Sequence, residues 1–251
     1  MATNLIRNYG VNASIIDLNA YRVPDEEAER RGLENGRHIN DAETRQLIEK
    51  HCQVHGEPHV VALSGMITTL GWQQKLAKMV KEMFPDALLV SGGGLANELK
   101  PTPLNPLGLF DPLFIPEIDA LAHSEGDDVI LKITRDAKVI RERGWRSALQ
   151  SGELEPYLYG EIDGRPRLRY SGSRPRNLDA YPWADLSLLK EDVNGYRILD
   201  HYLKTPDWGD PKTANSSAAP FTMKLSATSV STRGCKYFCE YCLRGMNGET
   251  L

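Results

Sequence analysis

The chain has 251 residues, with 30 Lys and Arg against 34 Asp and Glu and a formal net charge of −4. That length suits one large domain or two smaller ones, and 41% hydrophobic with 25% charged residues excludes a wholly disordered chain. The charge balance singles out neither nucleic acid nor membrane, no run approaches the ~18 apolar residues of a membrane helix, and Met1-Ala2-Thr3-Asn4-Leu5 lacks the basic and apolar stretches of a secretory signal, so a cytoplasmic protein with no membrane partner is expected.

In chain order, Ala2 to Tyr9 reads as a short helix and, past Gly10, Asn12 to Leu18 (NASIIDL) as a strand. Asn40 lies three residues before Glu43, the spacing of a helix cap and its reciprocal partner, and the helix runs on through Leu47 and Ile48 to Gly56. Val60 to Leu63 is an apolar run of the kind buried in a parallel sheet. Trp72, Leu76, Met79, Val80 and Met83 recur with helical spacing on one face, closed by Pro85. Ala87 to Val90 is the next strand, so residues 60–90 form one strand-helix-strand unit. A strand at Ile118 to Ala122, a helix from Asp127 to Ile133 and a second through Ser147 to Gln150 follow.

Strands alternating with helices predict an α/β fold, a Rossmann-like doubly wound parallel sheet whose ligands gather at the carboxyl ends of the strands. Three loops stand there: Ser64-Gly65-Met66 with Ile67 to Thr69, Ser91-Gly92-Gly93-Gly94, and His123-Ser124-Glu125-Gly126. Small and glycine-rich, they suit either simple tight strand-to-helix turns or a bulky ligand that approaches the backbone closely, such as a flavin or a nucleotide phosphate.

Past residue 150 the character changes. Tyr157 to Tyr170 reads as a hairpin around Asp163-Gly164, and five arginines between Arg165 and Arg176 read as a solvated linker in preference to a nucleic-acid contact. Asp179 to Trp183 is a linker pinned by aromatics, Thr205 to Pro220 a loop, and Met223 to Thr232 a strand leading into cysteines. The expected division is therefore residues 1–150, a linker region over 151–220, and a last domain from 221 to 251.

Cys235, Cys239 and Cys242 are spaced CxxxCxxC. Three thiolates on one loop can hold three irons of a [4Fe-4S] cluster and leave the fourth open, while zinc would need another ligand such as His201. His51, Cys52, His55 and His59 also invite a metal, but read as the exposed end of a helix.

The loop Ser231-Thr232-Arg233-Gly234-Cys235 through Tyr241-Cys242 resembles the signature of the radical SAM superfamily. That resemblance implies that Cys235, Cys239 and Cys242 ligate a [4Fe-4S] cluster, that its open iron chelates S-adenosylmethionine for reductive cleavage to a deoxyadenosyl radical, and that Tyr241 lies against the adenosine. The upstream α/β region with Leu178-Asp179-Ala180-Tyr181-Pro182-Trp183 is similar to the cobalamin-binding (B12) branch of that superfamily. There a Ser-x-Leu loop and a Gly-Gly loop flank the dimethylbenzimidazole tail, and Ser64-Gly65-Met66 and Gly92-Gly93-Gly94 look like their counterparts, with Met66 in place of leucine. Ser124-Glu125-Gly126-Asp127 is similar to a Gly-Glu-Gly-Glu turn of the branch.

Two departures stand out. None of the six histidines lies in an Asp-x-His-x-x-Gly motif, so a protein imidazole on cobalt is not implied. The family's opening strand is missing or displaced, and with nine residues after Cys242 the 221–251 segment would be only the start of a barrel, so the expectation is a fragment inactive by itself. The tRNA-modifying methylthiotransferases carry a further three-cysteine set in their first domain, where this chain has Cys52 alone.

The function implied is a cobalamin-dependent radical SAM enzyme that methylates an unactivated carbon of a small-molecule substrate, supplied with electrons by a flavodoxin or ferredoxin. The alternatives are an oxidative cyclase or rearrangement enzyme of the same branch, and a non-catalytic corrinoid or nucleotide module with structural zinc.

Overall fold

The computed structural model describes residues 1–18, 40–65, 69–93, 115–123, 126–154, 157–162, 165–172, 177–189, 192–193, 196–197 and 199. The chain divides into two compact units, Met1–Ser14 with Asn40–Ala184, and Ile15–Ile39 with Asp185–Leu251. The described part of the second unit comprises a 3-10 turn at Leu186–Leu189 and a two-residue antiparallel ladder, Asp192–Val193 against Tyr196–Arg197.

The first unit is an α/β layer structure. Its helices are α1 (Ala2–Tyr9), α2 (Asp41–His55), α3 (Leu70–Met83), α4 (Gly126–Arg143) and α5 (Trp145–Gln150). Its strands are β1 (Val60–Ser64), β2 (Leu88–Gly92), β3 (Ala120–His123), β4 (Tyr157–Ile162) and β5 (Arg165–Ser171). They lie in the order β1-β2-β3-β5-β4. The first four in that order run parallel, and β4 pairs antiparallel to β5 at the edge.

Alternation along β2 builds two cores. Leu89 joins Leu63, Leu121, Ile115 and Ile118 beneath Ala77 and Val80 of α3. Leu88 and Val90 join Ala120, Leu168 and Tyr170 beneath Val129, Ile133 and Ala137 of α4. Because successive strand residues point to opposite faces, the clusters lie on the two sides of the sheet, each covered by a helix, as a parallel sheet requires. Strand order advances in one direction through β1, β2, β3 and β5, so among the described strands it does not reverse.

The cap expected at Asn40 is present: the Glu43 amide donates to Asn40 Oδ1 at 2.9 Å and the Asn40 amide to Glu43 Oε2 at 3.0 Å. Four expectations are corrected. Residues 12–17 form no strand; the Val11 amide instead donates to the Leu5 carbonyl, and the Asn12 amide group donates to the His55 carbonyl at 2.9 Å, tying this segment to helix ends. Along α3, Met79 and Val80 of the expected face are buried and Leu76 packs half-buried on the core, but Trp72 is 39% exposed and Gln73 and Ala77 turn inward in its place. The helix expected to stop at Ile133 continues to Arg143, because Ile133, Ala137 and Ile140 keep the helical spacing and no breaker precedes Gly144.

The fourth concerns residues 157–171. The expected hairpin forms, but β5 pairs with β3 over Leu168 to Ser171, so it extends the sheet past residue 150 and belongs to the first unit. Arg167, read as part of a solvated linker, is buried; its guanidinium donates to the Ile118 and Pro116 carbonyls. The expected loop at 205–220 and strand at 223–232 lie outside the described residues.

Candidate functional site

The parallel register sets Leu63 beside Ser91 and Ser64 beside Gly92, so the chain leaves β1 and β2 at the same edge of the sheet, one loop next to the other. The Gly65 amide donates to the Gly92 carbonyl at 3.4 Å, joining the two turns. Gly93 has φ +79°, and a Cβ there would stand 3.0 Å from the Gly65 carbonyl oxygen and 3.2 Å from Ser64 Oγ. Both the left-handed backbone and the close approach call for glycine.

On the other side of the β1 turn, a methyl group on Gly65 would overlap the Gln73 amide and the Thr69 hydroxyl. Gln73 is buried in α3 and its Nε2 donates to Thr69 Oγ1 at 3.1 Å, so the helix packs up to bare backbone. Ser64 and Gly93 are exposed, Gly65 and Gly92 half-buried. Among the described residues, the two turns thus present a shelf of peptide planes and one hydroxyl.

The third loop is built differently. His123 ends β3 buried, with its carbonyl accepting from the Gly172 amide at 3.0 Å. Gly126 opens α4, and the Met1 side chain packs on it while the Met1 ammonium lies 3.6 Å from Asp127 Oδ1. Asp127 and Asp128 occupy the first turn of α4. Their carboxylates already answer the positive end of that helix, which disfavours a phosphate there and with it a nucleotide or flavin phosphate.

Ser64 and Gly65 are thus brought together with Gly92 and Gly93, and Gly126 stands at the same end of the sheet on α4. Met66, Gly94, Glu125, Tyr241, Cys235, Cys239 and Cys242 lie outside the described residues. Among the described residues no group of three or more His, Cys, Asp or Glu could hold a metal ion. His51 and His55 stack at 6.0 Å between ring centroids, and His55 Nδ1 lies 3.3 Å from Asn12 Oδ1. The Cys52 thiol beside them is pushed above its ordinary value by burial, with smaller contributions from Glu57 and Glu49.

Ser91 does not stand out in the sequence from the glycines that follow it. It is wholly buried, and among the described residues its hydroxyl has no hydrogen-bond partner. A serine at the parity of Leu89 in the otherwise apolar run Leu88-Leu89-Val90 was the available signal.

Comparison with known proteins finds one partial likeness. Over 71 residues, 28% of this chain, it is 39% identical to the cobalamin-dependent radical SAM methyltransferase TokK of Streptomyces tokunonensis. The match spans 9% of that relative's length. No family model matches, and no solved structure does. Among the described residues no helix is long and apolar enough to cross a membrane.

Proposed function

We propose that this chain binds a corrinoid at the carboxyl ends of β1 and β2 and serves in a cobalamin-dependent radical SAM methyltransferase. The observation that carries the corrinoid part is the contact of Ser64-Gly65 with Gly92-Gly93, which leaves an exposed, backbone-lined shelf at the end of a parallel sheet where ligands of such folds bind. Gly65 and Gly93 admit no side chain, because one would strike Gln73 and Thr69 or the Gly65 carbonyl, so the two turns pack against each other as bare backbone. The partial likeness to a protein with both cofactors in its name, and the CxxxCxxC spacing at Cys235, Cys239 and Cys242, support the rest.

In this reading Ser64 presents its hydroxyl at the rim of the shelf, Gly92 and Gly93 keep it flat, and Gln73 holds the Gly65 turn from behind. The three cysteines would ligate a [4Fe-4S] cluster and Tyr241 would pack on the adenosine of S-adenosylmethionine. Together the bound groups would supply a substrate radical and a methyl donor; the protein positions them and excludes water. The substrate is a small molecule with an unactivated carbon, the electron donor a flavodoxin or ferredoxin, and the setting cytoplasmic.

The test is anaerobic reconstitution with iron, sulfide and hydroxocobalamin, followed by absorption spectra and metal analysis of wild type and a Cys235→Ala, Cys239→Ala, Cys242→Ala variant. About four irons per chain with retained corrinoid in wild type, and loss of iron alone in the variant, is the expected result. Zinc in place of iron would sink the radical reading, and iron without corrinoid would sink the assignment of the shelf.

A further inference from the structure

Ser91 holds a polar atom where the fold has no use for one. Along β2 it follows Leu89 by two residues, so it shares the face covered by α3, above a core of Leu63, Leu89, Leu121, Ala77 and Val80. Its exposure is 0%, and its hydroxyl has no hydrogen-bond partner among the described residues. A buried hydroxyl loses its water and here receives nothing in return, a state native proteins rarely keep without another purpose. Ser91 also directly precedes Gly92, so the orphaned group lies at the base of the glycine shelf.

Where the chain leaves the ladder, the Gly65 amide reaches the Gly92 carbonyl at 3.4 Å, longer than the ~2.7–3.2 Å of a well-made hydrogen bond, so this last rung beside Ser91 is a weak one.

Resting on the corrinoid reading above, we infer that Ser91 is a specificity-determining residue of the shelf: the turns part on binding, and the Ser91 hydroxyl donates a hydrogen bond to the nucleotide tail of the corrinoid. The serine selects complete cobalamin over cobinamide, which has the same corrin ring and lacks the tail. Removing the hydroxyl has opposite consequences for the free and the liganded protein, which separates this role from a structural one.

Hydroxocobalamin and diaquacobinamide are titrated into the 251-residue chain, wild type and Ser91→Ala, with tryptophan fluorescence as the readout, and each free protein is melted. Expected for Ser91→Ala is about tenfold weaker cobalamin binding, unchanged cobinamide binding, and a melting temperature equal to or above wild type, since the unsatisfied hydroxyl is gone. Ser91→Cys, similar in size with a weak donor, falls between the two in cobalamin affinity and repeats the comparison should the alanine variant not fold. Equal cobalamin binding by wild type and Ser91→Ala overturns the inference while the shelf stands. Parallel losses for both ligands with a lowered melting temperature also overturn it and make Ser91 a packing residue. A wild type that binds neither corrinoid brings down the shelf assignment together with this one.

Discussion

The two ends of the parallel sheet are built on opposite principles. At the amino end, side chains satisfy backbone: Asp119 accepts the Leu89 amide at 2.8 Å and pairs with buried Lys81, Lys81 donates to the Ala87 carbonyl at 2.6 Å, and Arg167 donates to the Ile118 and Pro116 carbonyls. At the carboxyl end, glycines replace side chains, the bond between turns is 3.4 Å long, and the Ser91 hydroxyl is unanswered. Among the described residues, then, buried charged side chains that bond to backbone gather at the amino end, and the glycine turns stand at the carboxyl end.

The largest effect should come from breaking the closed end. Asp119→Ala removes the acceptor of the Leu89 amide and strands the Lys81 ammonium in the interior, which should cost about 3–5 kcal/mol in urea unfolding. Pairing it with Lys81→Met should recover much of that loss, since an apolar pair leaves no buried charge; a double variant as unstable as the single one would show that the ion pair is not what holds this end.

Tyr170 tests the ground between. Its hydroxyl donates to the buried Asp136 carboxylate at 3.1 Å, joining β5 to α4, while Arg135 holds the other oxygen at 3.0 Å. Tyr170→Phe should lower stability by about 1.5–3 kcal/mol, the range for a bond to a charged group, and leave corrinoid affinity unchanged. Altered affinity with intact stability would mean that the open end reaches further along β5 than the glycine turns.

At the open end, Gly93→Ala forces a side chain into φ +79° and against the Gly65 carbonyl. The strain should cost about 1–3 kcal/mol, and hydroxocobalamin binding should fall by a larger factor than in any amino-end variant of equal stability. Equal affinity in wild type and Gly93→Ala would remove the shelf from consideration.

Much of this contrast was legible in the residues, for identifiable reasons. Periodicity and caps are local, so α2, α3 and the strands at 60 and 88 follow from nearby side chains, and the glycine turns follow from strand ends. The Lys81–Asp119 pair and the Arg167 carbonyl contacts join segments far apart in sequence, and no short-range pattern marks them. Trp72 shows the limit of periodicity: Met79 and Val80 of the apolar stripe are buried, but Gln73 turns inward to meet Gly65 and Trp72 is left exposed. The strand expected at 12–18 failed because Asn12 found the His55 carbonyl instead of a neighbouring strand.

The smallest effect is at Cys52, in the last turn of α2 before the chain enters the amino end of β1. Burial first, then Glu57 and Glu49, hold its thiol above the ordinary range. The folded chain therefore keeps this proton to higher pH than the unfolded chain. Its small stabilising share is whole below the ordinary thiol value and is lost as pH climbs through the raised one. Iodoacetamide should accordingly alkylate native Cys52 more slowly than a denatured control at mildly alkaline pH, and Glu57→Gln should shift the rate profile toward lower pH. A native rate equal to the denatured one would show that the fold does not shield this thiol.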